Sequence, residues 1–213
     1  MDYARARERM VKEQIEARGV REPRVLAAMR AVPRENFVAE GLLPWIYEDQ
    51  PLSIGRGQTI SQPYMVALMT ELLGTGPDAT VLEIGAGCGY QTAILSRLVG
   101  RVCSIERDET LAAEARMRLA GMGCGNVELI HGDGFLGWPE PGRQFLRILA
   151  ACAAEEIPVG LLDQLAPGGR LVIPIGPAET KQELTLVDRD WDGLLHTQVI
   201  LPVRFVPMVH GSV

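Results

Sequence analysis

The run Val81-Leu82-Glu83-Ile84-Gly85-Ala86-Gly87-Cys88-Gly89-Tyr90 constrains this chain more than any other segment. A short apolar stretch leads into glycine at every second position, and a helix-like sequence follows. Glycine lets the backbone turn sharply and come close to a ligand. The start of the helix beyond it favours anionic groups. The pattern is therefore the strand–loop–helix opening of a nucleotide-binding unit. It departs from the dinucleotide fingerprint Gly-x-Gly-x-x-Gly, because the third glycine comes one residue early and Tyr90 stands where that fingerprint needs glycine.

From residue 79 the chain alternates strand and helix. Strands are expected at Thr80–Ile84, Arg101–Glu106, Val127–Ile130, Phe145–Ala150 and Arg170–Pro174, with helices at Tyr90–Leu98, Glu109–Ala120 and Ile157–Leu165. Such alternation implies a mostly parallel, doubly wound α/β sheet covered on both faces. Pro167-Gly168-Gly169 reads as a turn into the fifth strand. Glu183–Asp188 and Thr197–Phe205, joined by a turn at Asp190–Gly193, read as an antiparallel hairpin at the sheet edge. Residues 1–78 form an N-terminal extension: two helices over 2–30 broken at Gly19 and Pro23, then loops and short strands, then a helix to Leu73 with Ser61 near its N-cap and Pro63 in its first turn. Residues 79–213 would be the core, the whole forming one compact unit.

Two carboxylates fall at telling places. Glu106 ends the second strand 21 residues beyond Gly85, where a carboxylate can accept ribose hydroxyls. A solvated strand-end charge is its plain alternative. Asp133, in His131-Gly132-Asp133-Gly134, would sit at the carboxyl edge of the sheet and could accept from an adenine amino group; a simple Asp-Gly turn is the alternative there. The net charge of −6 and the absence of an uninterrupted basic run speak against nucleic-acid binding. The four cysteines are scattered, without metal-ligand spacing, so neither a metal site nor a disulfide framework is expected, and a reducing cytoplasm is. Met1–Lys12 has no apolar core, so no secretory signal is expected, and no run approaches a membrane span. His131, His196 and His210 stand isolated and read as surface or structural residues.

The tight glycine spacing after Glu83 resembles the first motif of Rossmann-like class I methyltransferases. Beyond it, Gly55-Arg56-Gly57-Gln58-Thr59-Ile60-Ser61-Gln62-Pro63 resembles the most distinctive signature of the protein-L-isoaspartate O-methyltransferase family. Arg34-Glu35-Asn36-Phe37-Val38, Tyr47–Leu52, Met69–Leu73, Gly134–Pro139, Gln164–Leu171 and Pro202–Pro207 match it in order. The resemblance covers nearly the whole chain. It implies S-adenosyl-L-methionine as cofactor, S-adenosyl-L-homocysteine as product, and methylation of the α-carboxylate of L-isoaspartyl residues, with D-aspartyl residues as a further substrate. It also implies that the ester then closes to a succinimide without the enzyme, so damaged proteins are its partners. Ser61 corresponds to the active-site serine. Thr59, Ile60, Gly85, Ala86, Gly87, Cys88, Gly89, Glu106, Arg107, Asp133 and Gly134 correspond to cofactor-side positions. Ser61, Gln62, Val203, Arg204 and Val206 correspond to the substrate side. A cytoplasmic monomer is expected.

The chain departs from the family pattern in the fourth strand. Leu146 stands where an aspartate is usual, and Ala150-Ala151-Cys152 replaces a threonine and two alanines. Both changes are expected at the cofactor-facing edge, with Leu146 joining the core as drift. A carboxylate is already ionised at neutral pH, so the implied chemistry needs no general base. Three alternatives stay open: methylation of another peptide or small molecule, an NAD-dependent oxidoreductase, and a non-catalytic binding module.

Overall fold

The computed structural model describes residues 2–211. Helix α1 (Tyr3–Met10) is capped by Asp2, whose carboxylate accepts from the Arg5 amide at 3.1 Å. It widens into a π-helical turn over Val11–Ile15 and stops at Gly19, where φ is +100°. Helix α2 (Pro23–Ala31) starts on proline, which loses no needed N–H at that position. The hairpin β1 (Leu52–Gly55) and β2 (Gln58–Ile60) follows, then helix α3 (Pro63–Leu73).

The remainder is the expected alternation. In order come β3 (Thr80–Ile84), α4 (Tyr90–Ser96), β4 (Arg101–Glu106), α5 (Glu109–Gly121), β5 (Val127–His131), β6 (Phe145–Ala150), α6 (Val159–Asp163), β7 (Leu165–Ile175), β8 (Gln182–Arg189) and β9 (Leu195–Val203). One seven-stranded sheet has the order β5-β4-β3-β6-β7-β8-β9. Its first five strands pair in parallel, and β8 and β9 add as the antiparallel edge pair. Side chains alternate across the strands, so Val81, Val102, Leu149 and Val172 face α3, α4 and α5, while Leu82, Ile84, Ile148 and Leu171 face α6. The N-terminal helices join the first of these cores through Met10, Ile15, Val25 and Met29.

Three local expectations change. Pro167-Gly168-Gly169 does not precede the strand but lies within β7, as an irregularity that moves its register against β6 from Phe145–Leu165 to Arg147–Arg170. Gly168 takes φ +75°, which lets the ladder resume after the interruption. The helix expected over Ile157–Leu165 shortens to α6, while Ser61 does lie beside the N-cap of α3, which is Gln62 and has no side-chain cap bond. Leu146 does not join the core: it is 50% exposed, at the opposite end of β6 from the carboxyl edge.

Candidate active site

The glycine loop lies where β3 gives way to α4. Gly85, Gly87 and Gly89 all have positive φ, at +85°, +54° and +90°, so each alternate residue is in a conformation costly for any other side chain. The loop returns toward β4, with the amides of Gly85 and Ala86 donating to Ile105 O at 2.8 and 3.2 Å. The hairpin β1–β2 lies over it: a Cβ at Gly87 would meet Ile54 Cδ1 at 3.3 Å. The hairpin tip, Gly55-Arg56-Gly57, takes positive φ throughout and pairs Arg56 with Asp108, the N-cap of α5. The signature segment is thus pinned to the end of β4.

Glu106 is buried at that end. Its Oε2 accepts from the Gly87 amide at 2.7 Å and its Oε1 from the Asp108 amide at 2.8 Å. Glu106, Gly85, Gly87, Arg107 and Gly134 line a cavity of about 80 Å³, together with Cys152. Burial pushes the Cys152 thiol up to about 12, and the nearby Glu106 charge adds to the rise, so the thiol stays neutral. The cradle suits the ribose end of a nucleoside: glycines allow close approach and a carboxylate offers acceptors.

A second cavity, of about 620 Å³, adjoins the first, and Thr59 and Val206 stand in the walls of both. Ser61, Gln62, Val203 and Arg204 line it, as does Arg18 from the N-terminal extension. Arg18 lies over the Tyr64 ring, 3.5 Å from its centroid, and donates to Asp49 at 2.8 Å. The Ser61 hydroxyl makes no hydrogen bond within the described residues, and its carbonyl accepts from Arg34 Nη2 at 2.8 Å.

Not every expected position reaches these cavities. Ile60, Ala86 and Cys88 are buried in the core and line neither. Gly89 backs onto α5, where a Cβ would meet Ala115 and Leu119 at 3.4 Å. Asp133 is claimed by the C-terminal segment: Oδ1 accepts from the Phe135 amide at 2.9 Å, and Oδ2 faces His210 Nδ1 at 2.8 Å and the Gly211 amide at 3.1 Å. Burial raises the Asp133 pKa, but these amides and His210 outweigh it and hold the carboxyl below its usual range. His210 is therefore not isolated; it stacks 4.7 Å from Phe135 and touches an expected cofactor residue. The same segment contributes Pro207, Met208 and Val209 to the smaller cavity. Nothing in the spacing of that tail signals this, since a long-range contact between residues 133 and 210 leaves no local pattern.

The chain matches the family model described as protein-L-isoaspartate(D-aspartate) O-methyltransferase over residues 5–213. It belongs to that family. A relative named protein-L-isoaspartate O-methyltransferase from Anaeromyxobacter dehalogenans strain 2CP-1 is 52% identical over 193 residues, covering 90% of this chain and 92% of the relative. A solved structure of a protein-L-isoaspartate O-methyltransferase is 31% identical with a TM-score of 0.86, covering 96% of this chain and 66% of that longer one. A candidate member from Plasmodium falciparum, solved in complex with S-adenosyl-L-homocysteine, is 24% identical with a TM-score of 0.82, covering 95% of this chain and 98% of that one; it attests the fold. The family resemblance and the α/β class expected from the residues are both borne out.

Proposed function

We propose that this chain methylates the α-carboxylate of L-isoaspartyl residues in damaged proteins, with the ribose end of the cofactor against the smaller cavity and the peptide in the larger. S-adenosyl-L-methionine, when bound, supplies a methyl group electrophilic enough for a carboxylate oxygen. Gly85, Gly87, Glu106, Arg107 and Gly134 hold it, and Thr59 stands between it and the substrate. Ser61 and Gln62 orient the acceptor carboxylate, and Val203, Arg204 and Val206 flank the peptide. No base is needed, since the acceptor is already charged; holding the reacting groups in line is the contribution required, up to about 7–11 kcal/mol in favourable cases. The cationic group of Arg204 suits an anionic ligand, while that of Arg18 is shared with Asp49. The observation that carries the reading is the shared wall: the segment bearing Ser61 opens on the larger cavity, while two residues before it Thr59 lines both.

The departure at Leu146 gives no support to a different substrate, because that side chain lies at the far end of its strand. The test is a pair of peptides identical except for one isoaspartyl or aspartyl linkage. Base-labile methyl incorporation into the isoaspartyl peptide alone supports the reading. Equal labelling of both, or of neither while the cofactor still binds, rejects it.

A further inference from the structure

Among the described residues Arg34 is the largest wholly buried side chain, at 0% exposure, and no carboxylate lies within ion-pair reach of it. Its neighbour Glu35 is taken by Arg7 and Tyr47. A buried unpaired cation is costly and is tolerated only where its hydrogen bonds matter. Arg34 spends them on two carbonyls: Nε donates to Ile46 O at 3.0 Å and Nη2 to Ser61 O at 2.8 Å. The guanidinium also lies over the Tyr90 ring, 4.9 Å from its centroid. Phe37, from the same turn, meets that ring edge-on at 5.2 Å. Arg118 stands over Phe37 at 5.9 Å and donates to Cys88 O at 2.7 Å.

These contacts form one continuous link. At one end is the backbone of Ser61; at the other are Cys88 and Tyr90, where the glycine loop passes into α4. The hairpin already ties the segment before Ser61 to the glycine loop and to the end of β4, through Ile54 and Arg56; Arg34 adds a second tie at Ser61 itself. We propose that Arg34 is a positioning residue for methyl transfer, fixing the Ser61 backbone against the first turn of α4 so that the serine hydroxyl meets the acceptor carboxylate in register with the cofactor. The inference rests on the reading of Ser61 given above. Displacements of about 1 Å at a reacting centre can cost about 100-fold in rate, so the effect falls on turnover rather than on binding.

The test is a double-mutant cycle on the whole protein. Arg34→Lys keeps the charge but cannot span both carbonyls; Arg34→Gln keeps a donor without the charge. Each is made alone and with Ser61→Ala, and kcat, peptide KM, S-adenosyl-L-homocysteine affinity and Tm are measured. The expected result is a kcat loss of roughly 10- to 100-fold for Arg34→Lys alone, with KM and cofactor affinity changed less than about threefold. In the Ser61→Ala background the same change then has almost no further effect on kcat, because no hydroxyl remains to misplace. An equal loss in both backgrounds makes Arg34 a packing residue and overturns the inference, while leaving Ser61 its role. Full activity of Ser61→Ala alone instead removes the reading of Ser61, and this inference with it. A chain that folds with neither replacement also overturns it, since Arg34 is then needed for folding itself.

Discussion

Ser61 keeps its hydroxyl free of partners within the described residues while its carbonyl is held from behind. That division, fixed backbone and available side chain, is what a substrate-orienting group needs. Ser61→Ala should lower kcat about 10-fold or more, the scale of one lost transition-state hydrogen bond, with S-adenosyl-L-homocysteine affinity changed less than about twofold by calorimetry. Equal loss of both would move Ser61 to the cofactor side. Glu106 is the opposite case, because both of its oxygens already accept backbone amides. Glu106→Gln should weaken cofactor binding about 10- to 100-fold, as expected for hydrogen bonds to a charged group; unchanged affinity would take Glu106 out of the site. Glu83 is wholly buried, with Oε2 accepting from Thr92 and Ser104 at 2.6 Å and Oε1 unpartnered within the described residues. Burial pushes its pKa up to about 7 from 4.5; the two hydroxyls oppose the rise and the Glu106 charge adds to it. Between those values the unfolded chain has lost the proton that the folded chain keeps, so stability falls as pH rises through that window and levels off above it. Glu83→Gln should flatten the slope in denaturant titrations between pH 5 and pH 8; an unchanged slope would mean that Glu83 is ionised when folded.

Elements that bury one apolar face were legible in the sequence, because strand alternation and helix periodicity are local. β3, β4 and β6 lie where the residues indicate, and the edge hairpin differs only in its bounds. The placement of the glycine loop and of Glu106 was legible for the same reason: it follows from fixed spacing along one strand–loop–helix unit. What stayed hidden was long-range. The hairpin laid across Gly87, the C-terminal residues gripping Asp133 and the buried Arg34 all depend on segments far apart in the chain. Spacing could not separate Gly168 as a turn from Gly168 as a break within a strand, since both need positive φ. Gly134 shows how tightly the third strand's end is packed: a Cβ there would lie 2.3 Å from Ile84 Cγ2. Ile84 is β-branched and sits in a strand, so it yields little. Gly134→Ala should cost about 1–3 kcal/mol, read as a fall of about 2–4 °C in Tm per kcal/mol, and should weaken cofactor binding as well. A variant with unaltered Tm would show that the strand end relaxes freely.

At the scale of the molecule, the extension over residues 1–78 and the core over 79–213 share their packing. Arg24 donates to Leu98 O, Arg147 Nε donates to Gly74 O at 2.9 Å, and Arg170 Nη1 donates to Leu72 O at 3.0 Å. One hydrophobic cluster runs from Met10 and Met29 through Leu73 to Val81 and Leu149. We therefore expect a single calorimetric transition, with equal van't Hoff and calorimetric enthalpies; two resolved transitions would make the extension a separately folding part. No helix among the described residues is long and apolar enough to cross a membrane. The carboxyl-terminal stretch is built into the wall of the smaller cavity: Met208 N donates to Ala153 O at 2.6 Å, Arg107 Nη1 donates to the carbonyls of Val209 and Gly211 at 3.1 Å, and Gly211 reaches Asp133. Any load coupled to the stretch through Gly211 would therefore pull on the wall of that cavity. The amino end is the gentler place for a tag, since Asp2 caps a helix that lines neither cavity.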